Sequence, residues 1–316
     1  MDITVKFTDF WPGFDPQHNK FVDALASRHR VTVLADDSPG RPRLLIYSCF
    51  GQDHLRYPDA IKVYYSGEND VPDFNECDYA LSLHRIDFGG RHMRYPLYML
   101  YEHREAMHRA HISDEAALGR PFCSCVMRNA DNCDPRRIAI IDSIAAVGHV
   151  AYGGPWRNNV GDPVDEKIPF ISGFKFNLAL ENSCLPGYVT EKILEPYAAL
   201  TVPIYWGAPD VSLDFNPDSY INAADYDTPA SLAAAVAHID ADPQAYLAML
   251  RAPVLTADTA VDHDARLADF LCRIAADGRK HTVPYGHMGT MHRRRALMAP
   301  LTGCRLLERV LRRLRR

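Results

Sequence analysis

The sequence lacks the features that mark membrane-spanning proteins, nicotinamide-dependent dehydrogenases and P-loop kinases. It has no run of apolar residues as long as the roughly 18 that a transmembrane helix needs. No GxGxxG follows the first strand-like segment, and no GxxxxGK[ST] loop occurs. The first residues also lack a basic stretch followed by a long apolar one, so we expect no secretory signal and a cytoplasmic location.

The eight cysteines do not have the spacing of a zinc site. Cys123 and Cys125 flank a serine and Cys133 follows, whereas zinc sites use two CxxC-like pairs or one such pair with two histidines. We therefore predict free thiols and no metal site. The alternation indicates that Cys123 and Cys125 share one face of a buried strand.

Charge is distributed unevenly along the chain. The formal net charge is −5, yet residues 293–316 contain nine arginines and one acidic residue, a local charge of +8 that leaves −13 on the rest. Because such an acidic body repels polyanions, we expect no nucleic-acid partner.

The same segment predicts a short basic amphipathic helix, because five apolar residues recur in it at helical spacing. Three interpretations remain open from composition. The helix contacts an anionic membrane surface, docks on the acidic body of the protein, or is a disordered basic end. The first would place the protein peripherally on the inner face of the cytoplasmic membrane.

Strand-like and helix-like segments alternate in two series, which is typical of parallel sheets covered by helices on both faces. The seam falls at Gly119-Arg120-Pro121, so we predict domains at 1–118 and 119–280 and a tail at 281–316. The predicted strands are Ile3–Thr8, Val31–Leu34, Leu44–Ser48, Ile61–Tyr65, Tyr79–Leu83, Phe122–Met127, Lys175–Leu180 and Val202–Tyr205. The predicted helices are Gln17–Ser27, Leu97–His111, Pro135–Ala146, one after Thr190, Ser231–Ile239 and Asp262–Ala275.

Residues 174–211 form the most informative segment, a strand, a polar turn, a helix and a second strand. Thr190 is a good N-cap, and Glu191 and Lys192 fall in the first helical turn, where free N–H groups and Lys192 could receive a phosphate. The alternative is a plain cap in which Glu191 complements the helix dipole and Lys192 points to water. Pro196 should kink or shorten this helix.

This segment resembles the signature of the α-1,3-fucosyltransferases, closest to the bacterial members. The matching positions include Glu181-Asn182, Tyr188 and Thr190-Glu191-Lys192. Residues 65–80, 91–98, 122–126 and 156–159 also resemble blocks of that family, so the likeness covers roughly residues 60–250.

The resemblance implies a GT-B fold, with two doubly wound Rossmann-like domains facing each other across a cleft. The N-terminal domain would receive the acceptor and the C-terminal domain GDP-fucose. The reaction would be an inverting transfer of L-fucose to the 3-hydroxyl, or sometimes the 4-hydroxyl, of N-acetylglucosamine in a lactosamine-type oligosaccharide or bacterial surface glycan. The family requires no cofactor, and a divalent metal would at most stimulate the reaction.

Carried over by position, the resemblance also implies roles for individual residues. Glu68 would be the general base and Glu191 a second catalytic carboxylate. The donor would be bound by Arg137, Asn182, Tyr188, Glu191 and Lys192. Without the resemblance, the residues themselves favour Glu68 as a turn residue and allow Arg137 to be a solvated helix residue. Arg136 beside it leaves the register of this site open by one residue.

Two other functions remain open from the sequence. One keeps the fold but uses a different nucleotide sugar. The other is a non-catalytic, membrane-associated glycan-binding protein, against which the joint presence of Glu68, Glu191 and Lys192 argues, since binding alone needs no base.

Overall fold

The computed structural model of the chain describes residues 1–281 except 36–37, 39, 102–111, 131–132 and 258. Short apolar or β-branched runs form an all-parallel six-stranded sheet in the first 94 residues, with spatial order β2-β1-β3-β4-β5-β6. Its strands are β1 (Asp2–Thr8), β2 (Arg30–Val33), β3 (Leu44–Tyr47), β4 (Ile61–Ser66), β5 (Tyr79–Ser82) and β6 (His92–Arg94).

A second parallel sheet of five strands has the order β11-β10-β9-β7-β8. Its strands are β7 (Cys123–Cys125), β8 (Val150–Tyr152), β9 (Phe176–Leu180), β10 (Val202–Trp206) and β11 (Ile221–Asn222). The central strand β9 is buried along its whole length, as a strand covered by helices on both faces must be. Cys123 and Cys125 are buried on β7, as their alternation predicts.

Most α-helices of the described residues begin at a side chain that caps a free backbone N–H group, whereas α4 has no such cap and α5 continues the 3₁₀ turn before it. The Asn19 side chain accepts from the N–H groups of Phe21 and Val22, so the first helix begins later than predicted. The helices are α1 (Lys20–Ala26), α2 (Asp114–Leu118), α3 (Pro135–Val147), α4 (Lys167–Ile171), α5 (Leu194–Ala198), α6 (Pro229–Ala241), α7 (Pro243–Arg251) and α8 (His263–Asp277).

Helix α8 returns to the N-terminal sheet, although the predicted C-terminal domain of residues 119–280 includes it. It packs against α1, and Leu271 and Ile274 share a hydrophobic core with Phe21 and Leu25. The second sheet shares its core with residues of α3, α6 and α7 instead. The N-terminal half is therefore built from both ends of the described chain.

The two halves are joined by ion pairs as well as by apolar contacts. Arg94 makes a bidentate bond to Asp214, with Nη1–Oδ1 2.6 Å and Nη2–Oδ2 2.7 Å. Arg85 contacts the same carboxylate at 3.2 Å and Asp210 at 2.7 Å. Asp210 in turn accepts from the backbone N–H of Gly187 at 2.7 Å. We call these five residues the interdomain clasp.

Two sequence predictions concern residues that the structure describes only partly or not at all. Of the helix predicted over Leu97–His111, the described part contains a 3₁₀ turn at Leu97–Leu100, and residues 102–111 lie outside the described part. The Arg-rich segment 293–316 also lies outside it. Among the described residues, no helix has the length and apolarity to cross a bilayer.

Candidate active site

Arg137 and Asn182 meet at the point where the strand order of the second sheet reverses. Arg137 lies in the first turn of α3, which follows β7, and Asn182 follows the adjacent strand β9. The Arg137 Nη1 donates to Asn182 Oδ1 at 2.9 Å. Carboxyl ends of parallel strands at such a reversal are where open α/β sheets bind ligands.

Arg137 is a buried cation with unused hydrogen-bonding capacity. Only 7% of the residue is exposed, and its Nε has no hydrogen-bond partner among the residues that the structure describes. Arg136, the alternative left open by the sequence, is exposed in the same turn. The arginine that faces the site is therefore Arg137. A buried guanidinium that bonds only a neutral amide is suited to an anionic ligand.

Glu181 is a fully buried carboxylate at the same sheet edge. Its oxygens accept from the Thr190 backbone N–H at 2.7 Å and from the Thr190 hydroxyl at 2.8 Å, and Lys192 Nζ lies 3.3 Å away. Gly207 makes room for it, because a Cβ there would lie 2.4 Å from the Glu181 Cγ. Burial raises the pKa of Glu181 even though Lys192 and Thr190 favour its charged form.

Lys192 is held between carboxylates and does not extend into water. Its Nζ is 3.0 Å from the Thr190 hydroxyl and 3.2 Å from Glu191 Oε1, in addition to the Glu181 contact. Burial alone would lower the pKa of Lys192, but Glu181 and Glu191 raise it overall. Burial alone would raise the pKa of Glu191, but Lys192 lowers it overall. The charges of Glu181, Glu191 and Lys192 therefore influence one another, and the three groups together are negative when both carboxylates are ionised.

The helix expected after Thr190 is shorter than a regular helix. Thr190 caps it as predicted, with the side chain accepting from the Lys192 N–H, but Glu191–Ile193 form a 3₁₀ turn and α5 follows for only five residues. Pro196 lies inside α5 and has no N–H to donate, which explains the short helix. Lys192 does not point to water as the plain-cap interpretation has it, because its Nζ contacts Glu181.

Glu68 approaches this cluster from the other half of the protein. It follows β4, and its backbone N–H donates to the Ser66 hydroxyl at 3.1 Å, while its side chain is exposed. It is close enough to contribute to the raised pKa of Tyr188, which reaches about 12, mainly through burial and secondly through Glu181. Glu68 thus follows a strand at the carboxyl edge of the first sheet, as Asn182 does in the second.

The structure thus brings the predicted residues together in two contacts, Arg137 with Asn182 and Glu191 with Lys192. Their roles stay predictions. Sequence reasoning assigned no role to Glu181, although it belongs to the signature. The sequence did offer one indication of its role. A carboxylate that directly follows the apolar end of a buried strand is itself expected to be buried, and a buried carboxylate needs hydrogen-bonding or charged partners.

Two family models match the chain in succession. One describes the alpha-(1,3)-fucosyltransferase FucT N-terminal domain and matches residues 5–101. The other describes the C-terminal part of glycosyltransferase family 10 (fucosyltransferase) and matches residues 120–252. Together they span both sheets and every predicted site residue.

Curated and solved relatives agree with these matches. The alpha-(1,3)-fucosyltransferase FucT of Helicobacter pylori is 35% identical over 229 residues, which are 62% of this chain and 48% of that protein. The chain therefore matches about half the length of that relative. A crystal structure of an alpha1,3-fucosyltransferase with GDP superposes with a TM-score of 0.77 at 27% identity, covering 90% of this chain and 93% of that one. A second, with GDP-fucose, gives 0.76, covering 89% of this chain and 93% of that one at the same identity.

Proposed function

The chain belongs to the fucosyltransferases of glycosyltransferase family 10 and has their GT-B fold, and from this premise we propose that it transfers L-fucose from GDP-fucose to an acceptor sugar. The observation that carries the proposal is the buried Arg137–Asn182 contact at the strand reversal of the second sheet. It lies within a chain that matches both halves of the family.

In the proposed mechanism, the acceptor hydroxyl attacks the anomeric carbon of fucose opposite the leaving GDP. The new C–O bond forms as the bond to the phosphate oxygen breaks, which inverts the configuration. Glu68 takes the hydroxyl proton, because a neutral sugar hydroxyl is a weak nucleophile. Its position after β4, in the half of the chain to which the family resemblance assigns the acceptor, supports this role.

The leaving diphosphate gains negative charge as it departs, and fixed cations can stabilise that charge without a proton donor. Arg137 is the better placed of the two cations, since it bonds a neutral amide while Lys192 is already paired with two carboxylates. We assign Lys192 to the diphosphate as well, with Glu181 fixing its position. Asn182, Tyr188 and Glu191 complete the donor site.

The test is incubation with GDP-fucose and a panel of lactosamine-type acceptors, followed by linkage analysis of the product. Excess GDP should inhibit transfer and excess UDP should not. Glu68→Gln should lower turnover by about two to four orders of magnitude while GDP binding stays nearly unchanged. Glu115→Gln, an exposed glutamate on α2, is the matched control. Normal turnover by Glu68→Gln would refute the base assignment.

We also propose that residues 293–316 attach the protein peripherally to an anionic membrane surface, on the basis of their nine arginines. The last described residues support an arrangement that leaves the cleft accessible. Arg279 and His281 donate to Tyr79 and Asp78 at the amino edge of the first sheet, whereas Glu68 follows its carboxyl edge. Deleting 293–316 should abolish co-sedimentation with phosphatidylserine vesicles while transfer to soluble acceptors survives. Unchanged co-sedimentation would refute the proposal.

A further inference from the structure

The turn that carries Glu68 is fixed through its backbone and not through the Glu68 side chain. Glu68 is exposed, and its carboxylate makes no hydrogen bond within the described part of the chain. Its N–H donates to the Ser66 hydroxyl at 3.1 Å, and that hydroxyl lies 3.3 Å from the Glu68 carbonyl oxygen. Ser66 is itself fully buried at the end of β4. The position of the carboxylate therefore depends on where the turn lies.

Asp70 closes the same turn from its other end. Its backbone N–H donates to the Glu68 carbonyl oxygen at 2.7 Å, and its carboxylate accepts from the Tyr64 hydroxyl at 2.5 Å. Tyr64 lies on β4 and Asp70 follows Glu68, so the bond between them joins the strand to the far side of the turn. Hydrogen bonds from a hydroxyl to a carboxylate at such a distance are among the strong ones in proteins. Glu68 thus lies inside a closed loop of the chain.

The Tyr64 end of this bond is fixed by packing. Tyr64 is 6% exposed, and its ring lies against Tyr47, with centroids 5.3 Å apart, in a small apolar cluster with Cys77 and Ala80. Burial, and secondly Asp70, raise the pKa of Tyr64, so the hydroxyl keeps its proton and remains a donor. The bond therefore ties the exposed Asp70 to a buried strand of the first sheet.

A general base must lie within hydrogen-bond reach of the proton that it takes, roughly 2.6–3.2 Å between heavy atoms. A displacement of about 1 Å can lower the rate of an enzyme a hundredfold. We propose that Asp70 is a positioning residue, which through its bond to Tyr64 holds Glu68 where it can take the acceptor proton. This inference rests on the proposed fucosyl transfer and goes beyond it, since Asp70 and Tyr64 act through Glu68 and need not touch a substrate.

Single-atom changes at both ends of the bond test the proposal. Tyr64→Phe removes the hydroxyl and leaves the ring in its cluster. Asp70→Ala removes the acceptor, whereas Asp70→Asn keeps one oxygen that can accept from Tyr64. Tyr79→Phe is the matched control, because Tyr79 lies on the adjacent strand β5 and its hydroxyl accepts from the Arg279 N–H at the opposite edge of the sheet.

Two measurements separate the geometry of the turn from its effect on transfer. Hydrogen–deuterium exchange would follow residues 66–71, and steady-state kinetics would follow fucosyl transfer. We expect Tyr64→Phe and Asp70→Ala to speed exchange in 66–71 about fivefold, the effect of losing one hydrogen bond. Both should lower kcat about tenfold or more while the KM for GDP-fucose stays within about twofold. Asp70→Asn should lose less than Asp70→Ala, and Tyr79→Phe should change neither exchange in 66–71 nor kcat.

A double variant shows whether the effect acts through the base. In the Glu68→Gln background, Tyr64→Phe should lower kcat no further, because no base remains to be positioned. An equal further loss in that background would overturn the proposal, and so would unchanged exchange or unchanged kcat in Tyr64→Phe alone. A wild type without any fucosyl transfer would instead refute the proposed function. Faster exchange in Tyr64→Phe would then still support Asp70 as the residue that fixes this turn, and unchanged exchange would overturn that as well.

Discussion

Arg136 and Arg137 are neighbours in the chain, yet they lie in opposite environments. Arg136 is exposed, whereas Arg137 is buried against Asn182 with an unused Nε. A helix turns about 100° per residue, so adjacent positions at the start of α3 cannot face the same site. One arginine alone can serve the proposed diphosphate.

We predict that Arg137→Lys weakens GDP-fucose binding and turnover, each by about tenfold or more. Lysine carries the charge but not the planar fork that bonds Asn182 and a phosphate together. Arg136→Lys keeps the same chemistry one residue away and should leave both quantities unchanged. Calorimetry with GDP-fucose and steady-state kinetics would measure the two variants. Equal losses in both would show that general positive charge, and not the Arg137 geometry, binds the donor.

Glu181 and Lys192 show which features of the site can be predicted from residue patterns and which cannot. The family resemblance identified Lys192 as a candidate donor-binding residue because of its position in the signature. Its actual partners are Glu181, a buried carboxylate directly after the apolar run of β9, and its own neighbour Glu191. A carboxylate after a strand is common in sequences, and only the closeness of Gly207 and Thr190 explains why this one is buried and paired.

At the scale of elements, hydrophobic pattern was sufficient for the long or strongly apolar segments. The predicted strands in both sheets and the helices at α3, α6 and α8 agree with the structure to within about two residues. The three-residue strands β6 and β8 were missed, because no longer apolar run surrounds them, whereas the equally short β7 lies inside the apolar run Phe122–Met127. Helix α7 was missed as well, since it follows α6 after a single residue, Asp242, that caps its start.

The turn at Pro186-Gly187 lies close against the N-terminal half. Gly187 has φ +79°, and a Cβ there would lie 2.5 Å from the Leu83 carbonyl oxygen of the other half. Gly90 has nearly the same backbone, φ +77°, with no atom within 4 Å of a Cβ. Alanine substitutions at the two glycines therefore distinguish the cost of backbone strain from the cost of steric contact between the halves.

We predict that Gly90→Ala lowers the free energy of unfolding by about 1 kcal/mol, from the left-handed backbone alone. Gly187→Ala should lose about 1 to 3 kcal/mol more, since the halves must move apart to admit the methyl group. It should also reduce fucosyl transfer, because Glu68 and Tyr188 would separate. Chemical denaturation and the transfer assay would test this. Equal stability losses for the two alanines would mean that the contact with Leu83 relaxes freely.

At the scale of the whole molecule, α8 and the interdomain clasp determine how the two sheets act as one unit. Helix α8 places C-terminal residues in the N-terminal core, so the N-terminal half is not complete without a distant part of the chain. The clasp adds a buried carboxylate, Asp214, shared by Arg94 and Arg85. Nothing in the local sequence around Asp214 indicates this role, because its partners lie about 120 residues away.

We predict that Asp214→Asn lowers the free energy of unfolding by about 3 kcal/mol. The Asp214 side chain is 4% exposed and Arg94 is 12% exposed, so the substitution leaves two arginines close together with no buried anion between them. Asp59→Asn makes the same change in an exposed ion pair, where Arg41 and Asp59 are 88% and 74% exposed, and should have no measurable effect. The clasp also bonds the turn at Gly187, so Asp214→Asn should raise the KM for GDP-fucose and the KM for the acceptor together. A purely local loss of stability would instead leave both KM values unchanged below the unfolding temperature.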